Sequence, residues 1–163
     1  MAIWVSRYAN KALKNERYYC VGISIGKPRF KLDYKLDEQC FSLAPKGYML
    51  QMELDKFENA YYKKLEDIGT ERIIRMVLRM KEEAERAGKD LVFLCFEDVR
   101  VPGDWCHRTV FAKWWREKTG EIINELPDPT PPKIKRKDTG KPEAQGMSDG
   151  YQQMSLFGMG MKI

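Results

Sequence analysis

Two thiols, a carboxylate, an imidazole and a guanidinium fall within fourteen residues, as Cys95, Glu97, Cys106, His107 and Arg108. His107 is the only histidine in the chain. A thiol beside an imidazole and a fixed cation is biased toward thiolate, the form that attacks electrophiles. A carboxyl group two residues from the first thiol supplies a proton carrier. The arginine, together with the free N–H groups of a helix N-terminus, suits an anion. The pattern therefore points to Cys106 or Cys95 as nucleophile, Glu97 or His107 as proton carrier, and Arg108 as anion clamp. The residues alone also allow a quieter arrangement: Cys106 a small buried hydrophobe, His107 a cap and Arg108 a surface ion pair. A zinc site is a third option, with Cys95, Cys106 and His107 as ligands and Glu97 as a fourth. Adjacent Cys-His ligands chelate one metal awkwardly, so the expectation is no resident metal and no cofactor. A phosphate cradle starting at Cys95 is disfavoured, because Phe96-Glu97-Asp98 is bulky and acidic where such a loop needs small residues.

These groups need elements to position them. Leu91-Val92-Phe93-Leu94-Cys95-Phe96 is a continuous apolar run of the kind buried on both faces of a sheet. Cys95 and Glu97 stand at its carboxyl end. A helix is expected from near Cys106 to about Lys118, with Val110, Phe111, Trp114 and Trp115 as its packed face and Gly120 closing it. Upstream, residues 2–6 and 19–25 read as strands. Leu54, Phe57, Tyr61 and Leu65 mark a helix over residues 52–66. Ile73, Ile74, Val77, Leu78 and Ala84 mark a second over 70–87, with Thr70 as N-cap and Gly88 past its end. Residues 29–50 read as loop, and 121–126 as a final strand. Helix, buried strand, helix, strand in that order implies an α/β fold. The sheet should be open and mainly parallel, with helices on both faces. Ligands of such sheets bind beyond the carboxyl ends of the strands. Ser6, Arg7, Tyr8, Ser24 and Lys27 should converge there with Cys95 and Glu97, as substrate-binding residues. Cys20 and Cys40 should simply pack.

Length and charge narrow the class. The 163 residues suit one domain, and 43% apolar content supplies a core. No apolar run approaches a membrane span, and the first residues lack the apolar stretch of a signal peptide. Free thiols and a cytoplasmic location follow as expectations. Residues 1–35 carry eight basic side chains against Glu16 and Asp33, interleaved with Trp4, Tyr8, Tyr18, Tyr19, Phe30 and Tyr34. That mixture suits a surface that grips phosphates and stacks bases, so DNA or nucleotides are candidate partners. A solvated rim over a core of aromatics has the same composition. Composition changes at Pro127, the first of five prolines among the chain's eight. Residues 127–150 read as a basic, Pro-rich, disordered linker after a domain of residues 1–126, and 151–163 as a tail.

The motif set resembles the bacterial and phage domain-of-unknown-function family 488. The resemblance rests on the run into Cys95-Phe96-Glu97 followed by Cys106-His107-Arg108. Ser6-Arg7-Tyr8, Ser24 to Pro28, Leu43-Ala44-Pro45 and Trp114 add to it. It spans about residues 3–126. It implies a Rossmann-like domain with Cys95, Glu97, Cys106, His107 and Arg108 around one pocket, and it supplies no reaction. In the tail, Gln153-Met154-Ser155-Leu156-Phe157 resembles the bacterial sliding-clamp binding peptide, with Met154 where leucine is usual. A flexible linker of that length spans roughly 25–30 Å root mean square, enough to reach a groove on a clamp. The resemblance implies recruitment to DNA near a clamp. The alternatives are a sticky tail, and a non-catalytic DNA-binding adaptor whose cysteine cluster is structural or holds zinc.

Overall fold

The apolar run at Leu91 forms the centre of the molecule. In the computed structural model, which describes residues 1–133, strand β4 (Asp90–Cys95) is flanked on both sides by parallel partners. β1 (Ile3–Arg7) pairs with it from Ile3 opposite Leu91 to Arg7 opposite Cys95. β2 (Tyr18–Gly22) pairs from Tyr18 opposite Asp90 to Gly22 opposite Leu94. Two-residue strands close the edges: β3 (Glu38–Gln39) beside β2, and β5 (Asn124–Glu125) beside β1. The spatial order is β3-β2-β4-β1-β5, and all pairs are parallel. The chain folds as the open α/β sheet that its alternation of elements implies.

Alternation along each strand sorts the two faces. Ile3, Val5, Leu91 and Phe93 pack against three α-helices, α1 (Leu54–Ile68), α2 (Thr70–Arg86) and α3 (His107–Thr119). Cys20, Val92 and Leu94 face the other way, under the 3-10 helix Lys11–Asn15 and the loop carrying Leu32, Tyr34 and Leu36. Helical segments thus cover both faces, the α-helices all on one. β1 exits toward the 3-10 helix and β4 toward α3. The chain thus leaves these two strands toward opposite faces, the arrangement in which open sheets bind ligands beyond their strands' carboxyl ends.

The helices differ from expectation in detail. α1 buries Phe57, Tyr61 and Leu65, but Leu54 is exposed at its first turn. α2 buries Ile73, Val77, Met80 and Ala84, while Leu78 is exposed and Ile74 only partly covered. The buried stripe advances by four, three and four residues, which carries it to Met80 and leaves Leu78 on the far side. Gly69, not Thr70, caps α2, since its φ of 118° breaks the chain between α1 and α2. The second strand stops at Gly22 rather than residue 25, because Ser24 and Gly26 turn on each other. The final strand shrinks to two residues. After it, the chain stays on the domain: Leu126 N–H donates to Val5, and Asp128 accepts from Arg7 Nε at 2.6 Å. Among the described residues no helix is long and apolar enough to cross a membrane. The linker beyond residue 133 and the peptide Gln153 to Phe157 lie outside the described residues.

Candidate functional site

β4 delivers Cys95 as its last residue, and Cys106 is the N-cap of α3. His107 and Arg108 are therefore the first two residues of the helix. The Cys95 thiol lies 3.3 Å from His107 Nδ1, and the Cys106 thiol 3.7 Å from the same nitrogen. On the opposite edge of the ring, Nε2 lies 2.6 Å from the Ile23 carbonyl. A carbonyl only accepts, so Nε2 carries a proton. Nδ1 is left to exchange a proton with the two sulfurs. Tyr61 meets the ring edge-on, at a centroid distance of 6.0 Å. Cys95, Cys106 and His107 are all buried, and Arg108 is fully so.

Arg108 is anchored by Glu125 on β5. Its Nε donates at 3.1 Å and one terminal nitrogen at 2.8 Å to the two carboxylate oxygens. The expectation of a free anion clamp needs correction, since this fork is already engaged. Nor is it the surface ion pair that the residues also allowed. The remaining terminal nitrogen, Nη1, is buried with no hydrogen-bond partner among the described residues.

The charges set the protonation pattern. Burial alone pushes the Cys106 thiol up, but the Cys95 hydrogen bond, the Arg108 guanidinium and the His107 ring together bring it well below the ordinary thiol range. Cys95 goes the other way: burial raises it, and its hydrogen bond to Cys106 and that neighbour's charge raise it further. A Glu97 carboxyl oxygen lies 3.8 Å from the Cys95 sulfur, and Glu97 is also driven well up, first by burial and then by Cys106. The three groups together favour a single anion, with Cys106 the one drawn toward ionisation by its neighbours.

A glutamate held neutral by its surroundings opposes folding at neutral pH. Its folded pKa lies above its unfolded one, so stability falls as pH rises above the ordinary carboxylate range. Glu97→Gln is accordingly expected to raise the urea midpoint at neutral pH, by a margin that vanishes in acid below that range. Paired denaturation curves across pH check this. A gain that persists unchanged in acid would show that the carboxyl is not held neutral.

The other expected site residues divide. Tyr8 N–H donates to the Cys95 carbonyl at 2.8 Å, and Ile23 N–H to the Leu94 carbonyl at 2.9 Å, which draws both loops to the cluster. Ser24 Oγ donates to the Gly26 carbonyl at 2.6 Å. Its one proton being spent there, the Tyr8 hydroxyl donates to Ser24 Oγ at 2.7 Å. Tyr8 and Ser24 thus stand beside the thiols, and burial first among causes keeps the Tyr8 phenol protonated. Ser6 does not join them; it accepts from Asn10 at 3.0 Å. Arg7 turns to Asp98 and Asp128. Lys27 lines a cavity of about 320 Å³ with Pro28, Leu36 and Gln39, away from the thiols. Cys20 and Cys40 pack in the two halves of the core, with Cys20 raised by burial to about 12.

Three residues were missed. Glu125 and the Ile23 carbonyl are supplied by tertiary contact, and no local pattern announces them. Gln39 donates to the Ser24 carbonyl at 2.9 Å, and a Cβ at Gly22 would collide with Gln39 Oε1 and the Tyr8 hydroxyl. The lone glycine in that strand was the available signal for such a close approach.

The same geometry places the two sulfurs and His107 Nδ1 all within 4.8 Å of one another, so a thiophilic metal ion is chemically possible there. No family model, curated protein or solved structure matches the chain.

Proposed function

We propose that this protein is a thiol-dependent enzyme acting on a nucleotide or nucleic acid, working in the cytoplasm and brought to DNA under replication or repair by its tail. The observation that carries the chemistry is the shared imidazole: two thiols face one His107 nitrogen while a backbone carbonyl holds the other. In this reading Cys106 attacks as thiolate, His107 moves the proton, and neutral Glu97 donates to the leaving group. Arg108, pinned by Glu125, holds the thiolate charge. Cys95 and Cys106 each changed to serine, and assayed on nucleotide or damaged-DNA substrates, test the proposal. Full turnover in both variants would dismiss thiol catalysis. The resemblance to family 488 fits a site at these residues and leaves the reaction to be found.

The tail reading rests on Gln153, Met154, Ser155, Leu156 and Phe157. Retention of the full chain on immobilised bacterial sliding clamp, and its loss on removal of residues 151–163, is the expected result. Equal recovery of the two proteins would discard the peptide as the clamp ligand.

A second reading is favoured by one observation, the three donor atoms within 4.8 Å. Here zinc sits on Cys95, Cys106 and His107, and the protein is a zinc-stabilised DNA-binding adaptor. The Ile23 carbonyl on Nε2 is the kind of outer contact that orients a ligating histidine. Metal analysis of the purified protein tests this reading: stoichiometric zinc selects the zinc-stabilised adaptor, and none removes it.

A further inference from the structure

A second cavity lies on the sheet face away from the α-helices. It measures about 160 Å³ and is lined by Tyr8, Lys11, Lys14, Phe30, Lys31 and Tyr34, among others. Three lysines and three aromatic rings around one small hollow form an unusual lining. Phe30 is 49% exposed, so its ring is not spent on the core. Tyr34 is fixed by a 2.7 Å hydrogen bond from its hydroxyl to the Tyr8 carbonyl. Of the lysines, Lys14 meets one carboxylate, Asp33, at 3.5 Å, with both side chains more than half exposed. An exposed pair of that kind is weak and yields readily to a phosphate.

The hollow is open to solvent on one side, so a base can enter it while the sugar and phosphates lie along its basic rim. The lysines line that hollow from exposed positions. Tyr8 is common to both places: it lines this cavity, and its hydroxyl ends at Ser24 beside the thiols. Phe96, 42% exposed, packs on Tyr8 at a centroid distance of 4.9 Å. It continues the aromatic surface over the carboxyl edge of the sheet, from the cavity toward Cys95.

We propose that this cavity is a subsite for a nucleoside phosphate within a single strand, its base stacked against Phe30 and Tyr34 and its phosphates met by Lys11, Lys14 and Lys31. The inference rests on the reading of the thiol cluster as a nucleotide-directed site and names its substrate class. The strand is the preferred source over a free nucleotide because exposed Phe96 extends aromatic surface beyond the hollow, where a neighbouring base can stack. Flanking nucleotides then run over Phe96 to the thiols.

The test is fluorescence anisotropy of a short labelled single-stranded DNA with the full chain, across a salt series, with a nucleoside monophosphate as competitor. Wild type is expected to bind with log affinity falling against log salt more steeply than the triple lysine variant, by a slope difference of about 2 from three phosphate contacts. Phe30→Ala is expected to weaken binding by roughly 5- to 100-fold, the weight of one stacked base. The triple variant Lys11→Ala, Lys14→Ala, Lys31→Ala should flatten the salt slope. The basic residues from Lys133 to Lys141 add a background that is the same in every protein compared. Far-ultraviolet circular dichroism of the variants shows that the exposed substitutions leave the fold intact. Efficient competition by the monophosphate would overturn the strand and make a free nucleotide the ligand of the same pocket. Unchanged affinity and slope in both variants, or no binding by wild type, would overturn the subsite altogether. Turnover is read on the Cys106→Ser and Cys95→Ser variants, and binding on the Phe30 and lysine variants. Failure of the thiol reading therefore shows in turnover, and failure of the subsite in binding.

Discussion

Cys106→Ser is expected to remove the ultraviolet thiolate absorbance of the native protein at neutral pH and to lower turnover by roughly 10³-fold or more, as loss of a nucleophile does. Cys95→Ser is expected to keep most of that absorbance. The asymmetry comes from geometry. Cys106 sits at the N-cap of α3, where unpaired N–H groups and the helix dipole favour an anion, and the guanidinium of Arg108 lies in the same buried space. Cys95 is the neighbour that donates, and its own ionisation would place a second negative charge against the first. Removing the Cys95 thiol takes one hydrogen bond from Cys106 but leaves Arg108 and His107. Stability carries an independent trace of the same anion. Cys106 has a folded pKa below its unfolded one, so its contribution is present above the ordinary thiol range and is lost as pH falls through the folded value. The denaturation midpoints of wild type and Cys106→Ser should therefore converge in acid and separate as pH rises toward that range. The trend opposes that of Glu97, and the two single variants resolve them. Absorbance retained in Cys106→Ser and lost in Cys95→Ser would assign the nucleophile to Cys95 instead.

The parts of this site that could be read from sequence are those written in local chemistry. A run of Leu, Val and Phe ending in Cys95 can only be a buried strand in a chain with helical segments around it. A cysteine just before Val110, Phe111, Trp114 and Trp115 falls at the start of their helix. Those two facts are enough to bring Cys95, Cys106 and His107 together, because a parallel sheet sets strand ends and following helix starts on one edge. Arg108 shows where local reading stops. Its neighbours suggest an anion clamp, but its partner Glu125 is seventeen residues on, in a two-residue strand with no periodicity to mark it. Arg7 fails for a related reason, since alternation sends it to the face opposite Ser6 and Tyr8, where it meets Asp98 and Asp128. Ser6 shares the face of Tyr8 but is taken up by Asn10. Tyr8 does converge, through its hydroxyl. The basic aromatic segment divides likewise. Tyr8 goes to the cluster of Cys20, Val92 and Leu94 with Tyr18 and Trp4 packed around it, while Phe30 and the lysines stay outside.

Glu125→Leu should be among the more damaging single changes to the fold, toward the low end of about 3–5 kcal/mol, since it leaves a buried guanidinium with only the Cys106 sulfur to answer its charge. Against a domain stability of about 5–15 kcal/mol this is a large share. Arg108→Met should cost less. The side chain of Arg108 is 0% exposed and that of Glu125 is 36% exposed, so a glutamate left alone can hydrate where an arginine left alone cannot. The double variant should accordingly be more stable than Glu125→Leu by itself, with a coupling energy that urea denaturation of all four proteins measures. Equal losses in the two single variants, with simple additivity, would mean the pair is not held asymmetrically. The two changes also move the thiolate in opposite senses. Without Glu125, the guanidinium has only the Cys106 sulfur to neutralise it, and the thiolate absorbance should persist to lower pH. Without Arg108, burial is opposed only by Cys95 and His107, and the absorbance should appear at higher pH. Arg108 is thus a positioning residue whose charge is divided between a carboxylate that holds the fold and a sulfur that does the chemistry. Glu125 sets how much of that charge the sulfur receives.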